Sequence, residues 1–173
     1  RLKVFEFAAK IWESTINSNV TIRVEAKFDP LTCTTTSAVL GSAGAVTLSR
    51  DFSNAPLSST WYSIALANGL AGSDLSSSAD IAATFNGDID NNSACLGNYN
   101  WYYGLDGVKP SATIEMLSVV LHEIGHGLGF QTFVNTSTGA KFGTPGRDDM
   151  YMINLEDHSL NKNWSTMTNS QRQ

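Results

Sequence analysis

The chain has 173 residues, a net charge of −5 and a hydrophobic fraction of 42%, enough for one domain with a substantial core. An acidic balance without a basic cluster speaks against nucleic acid as a partner, and no run approaches the ~18 apolar residues that would span a membrane. Only 16% of residues are charged, and the abundance of Ser, Thr, Asn and Gly is the composition of a secreted rather than a cytosolic protein.

Taken in chain order, Val4, Phe5, Ala8, Ile11, Trp12 and Ile16 predict an amphipathic first helix. Val20, Ile22, Val24, Ala26 and Phe28 alternate with Thr21, Arg23, Glu25 and Lys27, the pattern of a half-buried strand. Gly41 to Leu48 reads as a second strand, Thr60 to Leu70 as a short helix and Asp80 to Phe85 as a further strand. Asp88 to Asn92 begins like a calcium loop but lacks the Gly and the terminal Glu of an EF-hand, so a turn is expected. Ile114, Leu117, Leu121, Ile124 and Leu128 form the apolar stripe of a second long helix opening near Pro110 and Ser111. The chain opens without a signal peptide and stops in a polar, helix-like segment, the expectation for a mature or trimmed piece of a longer protein. Residues 1–173 are expected to form one domain, with 130–173 as a smaller C-terminal subdomain.

Cys33 and Cys95 are the only cysteines, and neither lies in a C-x-x-C pair. A disulfide between them is expected, closing a loop of about 60 residues and restricting the unfolded chain.

The second long helix carries His122-Glu123-Ile124-Gly125-His126. Four positions advance a helix by about 40° past a full turn, so both imidazoles lie on one face and can share a tetrahedral metal. Glu123 points to the side, where it can hold a metal-bound water without itself coordinating the ion. Gly125, Gly127 and Gly129 are poor helix residues. Their presence predicts a close approach to the backbone and a sharp turn at Gly129.

His122-Glu-Ile-Gly-His126-Gly-Leu-Gly129 resembles the active-site helix of the metzincin clan of zinc metallopeptidases, with signature H-E-x-x-H-x-x-G-x-x-H. The match stops at the last ligand, where Thr132 stands. Ala79-Asp80-Ile81-Ala82-Ala83-Thr84-Phe85 is similar to the A-D-I-x-x-x-F strand of matrix-type metzincins. Less specific landmarks, among them Trp101-Tyr102-Tyr103-Gly104-Leu105-Asp106, resemble the catalytic part of secreted bacterial peptidases that often carry a protease-associated domain. The resemblance implies an α+β fold: a zincin or metzincin-like catalytic domain with a twisted mixed β-sheet and two long helices, the second bearing HExxH.

A catalytic zinc needs a third protein ligand. Gly143 to Tyr151 offers Asp148 and Asp149 and is loosely similar to the G-T-x-D-x-x-Y element of aspzincins. Asp149 is chosen because Met150-Tyr151-Met152-Ile153 follows it and can pack to fix a ligand. His158, Asp148 and Glu156 are the rivals. Met167 is open between a metzincin-type methionine turn and ordinary packing before a helix that Thr168 caps at Asn169. The expectation is a secreted zinc endopeptidase acting on a protein or peptide, with Zn2+ on His122, His126 and Asp149 and with Glu123 as general base. The Asp80–Phe85 strand would form the upper rim of its cleft. The alternatives are a catalytically silent, zinc-containing secreted binding module and a zinc hydrolase of a non-peptide amide.

Overall fold

A computed structural model describes residues 1–173. The first helix, α1 (Leu2–Thr15), turns Val4 and Ala8 inward. The expected first strand forms later than its alternation implies, as β1 (Val24–Asp29), and most of it is exposed because it lies at a sheet edge. The 41–48 segment divides into β2 (Gly41–Ala45) and β3 (Leu48–Ser49). The segment expected as helix from Thr60 starts instead as β4 (Tyr62–Ser63), antiparallel to β3, before α2 (Ile64–Ala71) begins. Next come β5 (Ile81–Asn86), a one-turn helix α3 (Asp88–Asn91) and β6 (Asn100–Tyr102). Pro110 and Ser111 do not open the second long helix: β7 (Thr113–Glu115) runs parallel to β6, and α4 spans Met116–Leu128. Ile114, counted with the apolar stripe, therefore sits in a strand. Short pieces complete the chain: a 3-10 turn at Met152–Asn154, the ribbon β8 (Glu156–Asp157) and β9 (Lys162–Asn163), a second 3-10 turn at Trp164–Thr166, and α5 (Asn169–Arg172).

The main sheet has the order β1-β5-β2, with β5 parallel to β1 and antiparallel to β2. The strand containing Asp80–Phe85 is thus the centre of the sheet and not the rim of a cleft, because β5 is paired on both sides. Its inward residues Ile81, Ala83 and Phe85 are buried, while Ala82 between them is exposed. The helices α1 and α4 cover one face. Phe5 packs edge-on against Phe28 and Phe85, and the Trp12 indole donates to the Leu121 carbonyl at 3.2 Å, locking α1 onto α4. Ile81, Phe85, Met116, Val120 and Ile124 are among the twelve residues of the apolar core between the layers. Two buried polar groups brace the strand ends. Asp80 accepts from the Arg23 amide and the Asn68 side chain, and the Asn86 side chain bonds the backbone of Leu31, Val39 and Asp88.

The glycines of α4 behave as the sequence demanded at two of three places. A Cβ on Gly127 would lie 2.3 Å from Ile81 Cγ2, so this glycine is what lets α4 approach β5. Gly129 ends the helix at φ 121°, a conformation that L side chains rarely adopt. The expected disulfide is formed: Cys33 is bonded to Cys95, tying the hairpin before β2 to the loop after α3.

The architecture is a mixed-sheet α+β fold. The more specific expectation, a zincin or metzincin-like catalytic domain, is corrected. Its defining feature is a helix whose two histidines meet a third ligand, and no group of three His, Cys, Asp or Glu side chains able to hold a metal occurs anywhere in the chain.

Candidate functional site

The exposed face of α4 presents His122 and His126. Their Nε2 atoms lie 3.0 Å apart, with the rings nearly perpendicular. His126 Nδ1 is 2.9 Å from the Phe130 carbonyl. A carbonyl only accepts, so Nδ1 carries the proton and Nε2 presents its lone pair. Sharp reversal at Gly129 brings this carbonyl back onto the helix, so the glycine turn fixes the tautomer of the histidine.

Glu123 leaves the helix on the flank facing the sheet. A Cβ on Gly41 of β2 would come within 3.0 Å of its Cγ and Oε1. Glu123 is buried, with 6% of its surface exposed. Gly41 is therefore the residue that gives this carboxylate its place, and the sequence signal for it was the Gly41-Ser42-Ala43-Gly44-Ala45 run of small residues.

Asp149 is fully buried elsewhere. Its Oδ2 accepts from the Thr132 hydroxyl at 2.7 Å and the Phe133 amide at 2.8 Å; its Oδ1 accepts from the amides of Tyr151 and Met152 at 3.1 and 2.8 Å. Both oxygens are thus committed to folding the segment after Gly129. The threonine at the position of the usual third histidine is one of its partners, so Thr132 and Asp149 form a structural pair. Asp148 forms an ion pair with Lys141 at 2.6 Å, and its carbonyl accepts from the Trp61 amide. His158 and Glu156 are exposed on the β8–β9 ribbon. Met167 is buried ahead of α5, where Thr168 and Gln171 form a capping box, so ordinary packing before a capped helix accounts for it.

The structure thus brings the two histidines together and leaves every expected third ligand away from them. Two imidazoles without a third protein donor do not make the closed or open zinc sets known for structural and catalytic sites. The expectations of a Zn2+ cofactor and of a zinc metalloendopeptidase are corrected on this ground, as is the metzincin resemblance on which they rested; of the silent module, only its zinc is corrected. What conceals this in the sequence is the dual use of carboxylates: an Asp before an apolar run reads alike whether it binds an ion or caps a turn.

Comparison with protein-family models, with curated proteins and with solved structures gave no match.

The remaining asset of the site is the outer edge of β2. The Asn86 amide donates to the Leu40 carbonyl and the Val46 amide to the Asp80 carbonyl. In an antiparallel ladder this parity directs the backbone groups of Leu40, Ser42, Gly44 and Val46 toward β5. Those of Gly41, Ala43 and Ala45 point away from it, and no strand pairs with that side. The two edges of the sheet differ sharply. β1 carries Glu25, Lys27 and Asp29, with Lys27 paired to Asp29 at 2.7 Å, whereas β2 has no charged residue, no proline and only one side chain larger than a methyl group.

Proposed function

We propose that this protein is a secreted polypeptide-binding module that takes an extended segment of a partner protein onto the free edge of β2. The single observation behind the reading is that edge. Sheet proteins blunt exposed edges with charges, prolines or bulges to prevent unwanted pairing, as β1 does. β2 uses none of these devices, and its outward-facing residues Gly41, Ala43 and Ala45, half-buried, carry no side chain larger than a methyl group. An extended chain supplies donors and acceptors at the two-residue repeat that Gly41, Ala43 and Ala45 require, and main-chain pairing of this kind tolerates many partner sequences. A disulfide supports a location outside the cytosol, where such bonds persist. The charge of −5 without basic clusters supports protein rather than nucleic acid as partner.

Binding of a fluorescein-labelled decapeptide of alternating alanine and threonine, followed by anisotropy, tests the reading. Hydrogen exchange at the Gly41, Ala43 and Ala45 amides should slow when the peptide is bound. Ala43→Pro removes one outward N–H while sparing the β5 ladder, a position where an edge strand accepts proline. It should weaken binding at least tenfold with an unchanged circular dichroism spectrum. Equal affinity of this variant and the parent would overturn the edge as the binding surface.

A further inference from the structure

Asn-x-Ser/Thr triplets are the acceptor pattern for N-linked glycans on secreted proteins. They occur at four places: Asn19-Val20-Thr21, Asn91-Asn92-Ser93, Asn135-Thr136-Ser137 and Asn163-Trp164-Ser165. The triplet alone is a common coincidence in a chain rich in Asn, Ser and Thr, so the surroundings of each carboxamide must separate them.

At three of the four, the carboxamide is part of the local fold. Asn163 is half-buried; its Nδ2 donates to the Ile153 carbonyl at 2.7 Å, and its Oδ1 accepts from the amide and the hydroxyl of Ser165. Asn91 is exposed, but its Nδ2 donates to the Gly87 carbonyl at 2.7 Å across the single turn of α3. Asn135 is exposed too, and its Oδ1 accepts from the amides of Ser137 and Thr138, both at 3.0 Å, closing the turn there.

Asn19 differs. It is exposed in the bend between α1 and β1, and Thr21 is exposed with it. Ser18 closes that bend: its hydroxyl donates to the Val20 carbonyl and accepts from the Val20 amide, both at 3.1 Å. The residues that follow lead into β1, the strand at the opposite side of the sheet from β2. Bulk attached at Asn19 therefore stands on the charged β1 side and leaves the β2 edge uncovered.

We infer that Asn19 carries an N-linked glycan. This rests on the location outside the cytosol proposed above. The donor is an oligosaccharide joined to a lipid pyrophosphate. Its C1–oxygen bond breaks, a bond from C1 to Asn19 Nδ2 forms, Nδ2 gives up one proton and the lipid pyrophosphate leaves. Transfer takes place on the extended chain, so the fold then decides which modified chains reach the native state. A sugar on Asn163 needs room at a half-buried nitrogen already in contact with a main-chain carbonyl, whereas a sugar on Asn19 extends into water.

Secretion of the full chain behind a signal peptide from cultured insect cells tests the inference. Peptide-N-glycosidase in heavy-oxygen water converts each sugar-bearing Asn to labelled Asp, and mass spectrometry of proteolytic fragments reads the occupancy of all four triplets. Asn19 should be occupied in most molecules, at least threefold more than Asn91, Asn135 or Asn163. Thr21→Ala should abolish that occupancy and Thr21→Ser should keep it, both with an unchanged circular dichroism spectrum. An unmodified Asn19 in the secreted parent overturns the inference, and so does equal occupancy at Asn163. If both the parent and Asn19→Gln are held inside the cell, the secreted location fails and the inference with it. Peptide affinity at β2 should be equal before and after glycan removal. A rise on removal would place the glycan over β2 and overturn the placement. Absence of peptide binding in both forms, with Asn19 occupied, would sink the β2 reading alone and leave the glycan standing.

Discussion

The regions before and after Gly129 are held together by different physics. Residues 1–128 form two layers around an apolar core, and every member of that core precedes Gly129. Beyond it, only Val134, Met152 and Met167 are buried apolar residues, and the segment is organised around two buried charged side chains. Asp149 collects donors from 132, 133, 151 and 152, while Arg172 donates to the carbonyls of Gly139, Trp164 and Met167 and to the Asn169 side chain. A hydrophobic core tolerates substitution if volume is kept. A polar hub does not, because each lost partner leaves a buried group unsatisfied.

The largest consequence falls on Asp149. Asp149→Ala should destabilise the protein by about 4–5 kcal/mol, since four donors lose their acceptor and water reaches only some of them. Urea denaturation followed by tryptophan fluorescence measures the loss, and limited proteolysis should cut first beyond Gly129. A loss below about 1 kcal/mol would show that the segment does not depend on the hub.

Removal of the disulfide tests the other region. The double variant Cys33→Ser, Cys95→Ser releases a loop with a sequence separation of 62 residues and should cost about 4 kcal/mol on the loop-entropy model. The staple precedes β2, so hydrogen exchange should rise at Leu40 to Ala45 more than at β8 and β9. A uniform rise would mean that the two regions unfold together. Arg172→Met follows at about 2–3 kcal/mol, because the guanidinium bonds neutral acceptors whose loss is softened by the exposed chain end. Its effect should be confined to α5 and the 137–141 turn, read by the same exchange measurement.

The same division explains what the sequence disclosed. Periodicity located α1, α4 and the strand that became β5, because those elements bury a continuous face. It misplaced the start of α4, where Pro110 and Ser111 suit a helix start but the parallel pairing of β6 with β7 claims residues 113–115. It also misjudged β1, whose alternating residues sit on an edge strand that is largely exposed. In the candidate site, the juxtaposition of His122 and His126 was legible from helix geometry, and the close approach at Gly127 from helix propensity. The partner of Asp149 was not, since hydrogen-bond acceptors in irregular segments have no period. Nor was the bare edge of β2, which depends on strand order rather than on any local pattern.

The smallest effects discriminate most finely how α4 is held against the sheet. Gly125 and Gly127 are two positions apart on the same helix, and each costs about 1 kcal/mol in helix propensity relative to alanine. At Gly127 a Cβ would lie 2.3 Å from Cγ2 and 2.6 Å from Cγ1 of the fully buried Ile81, so alanine there must push α4 off β5. Overpacking of this kind outweighs the propensity gain, and Gly127→Ala should destabilise by about 2 kcal/mol. At Gly125 the nearest atom is Trp12 Cζ2 at 3.5 Å, an ordinary contact, so the propensity gain survives and Gly125→Ala should stabilise by about 0.5–1 kcal/mol. Chemical denaturation of the two single variants gives both signs. Combining Gly127→Ala with Ile81→Ala, which removes all three contacting carbons, should cost less than the sum of the two single variants. Simple additivity would place the clash elsewhere than on Ile81. If both glycine variants shift stability in the same direction, close approach of α4 to β5 is not what keeps glycine at 127.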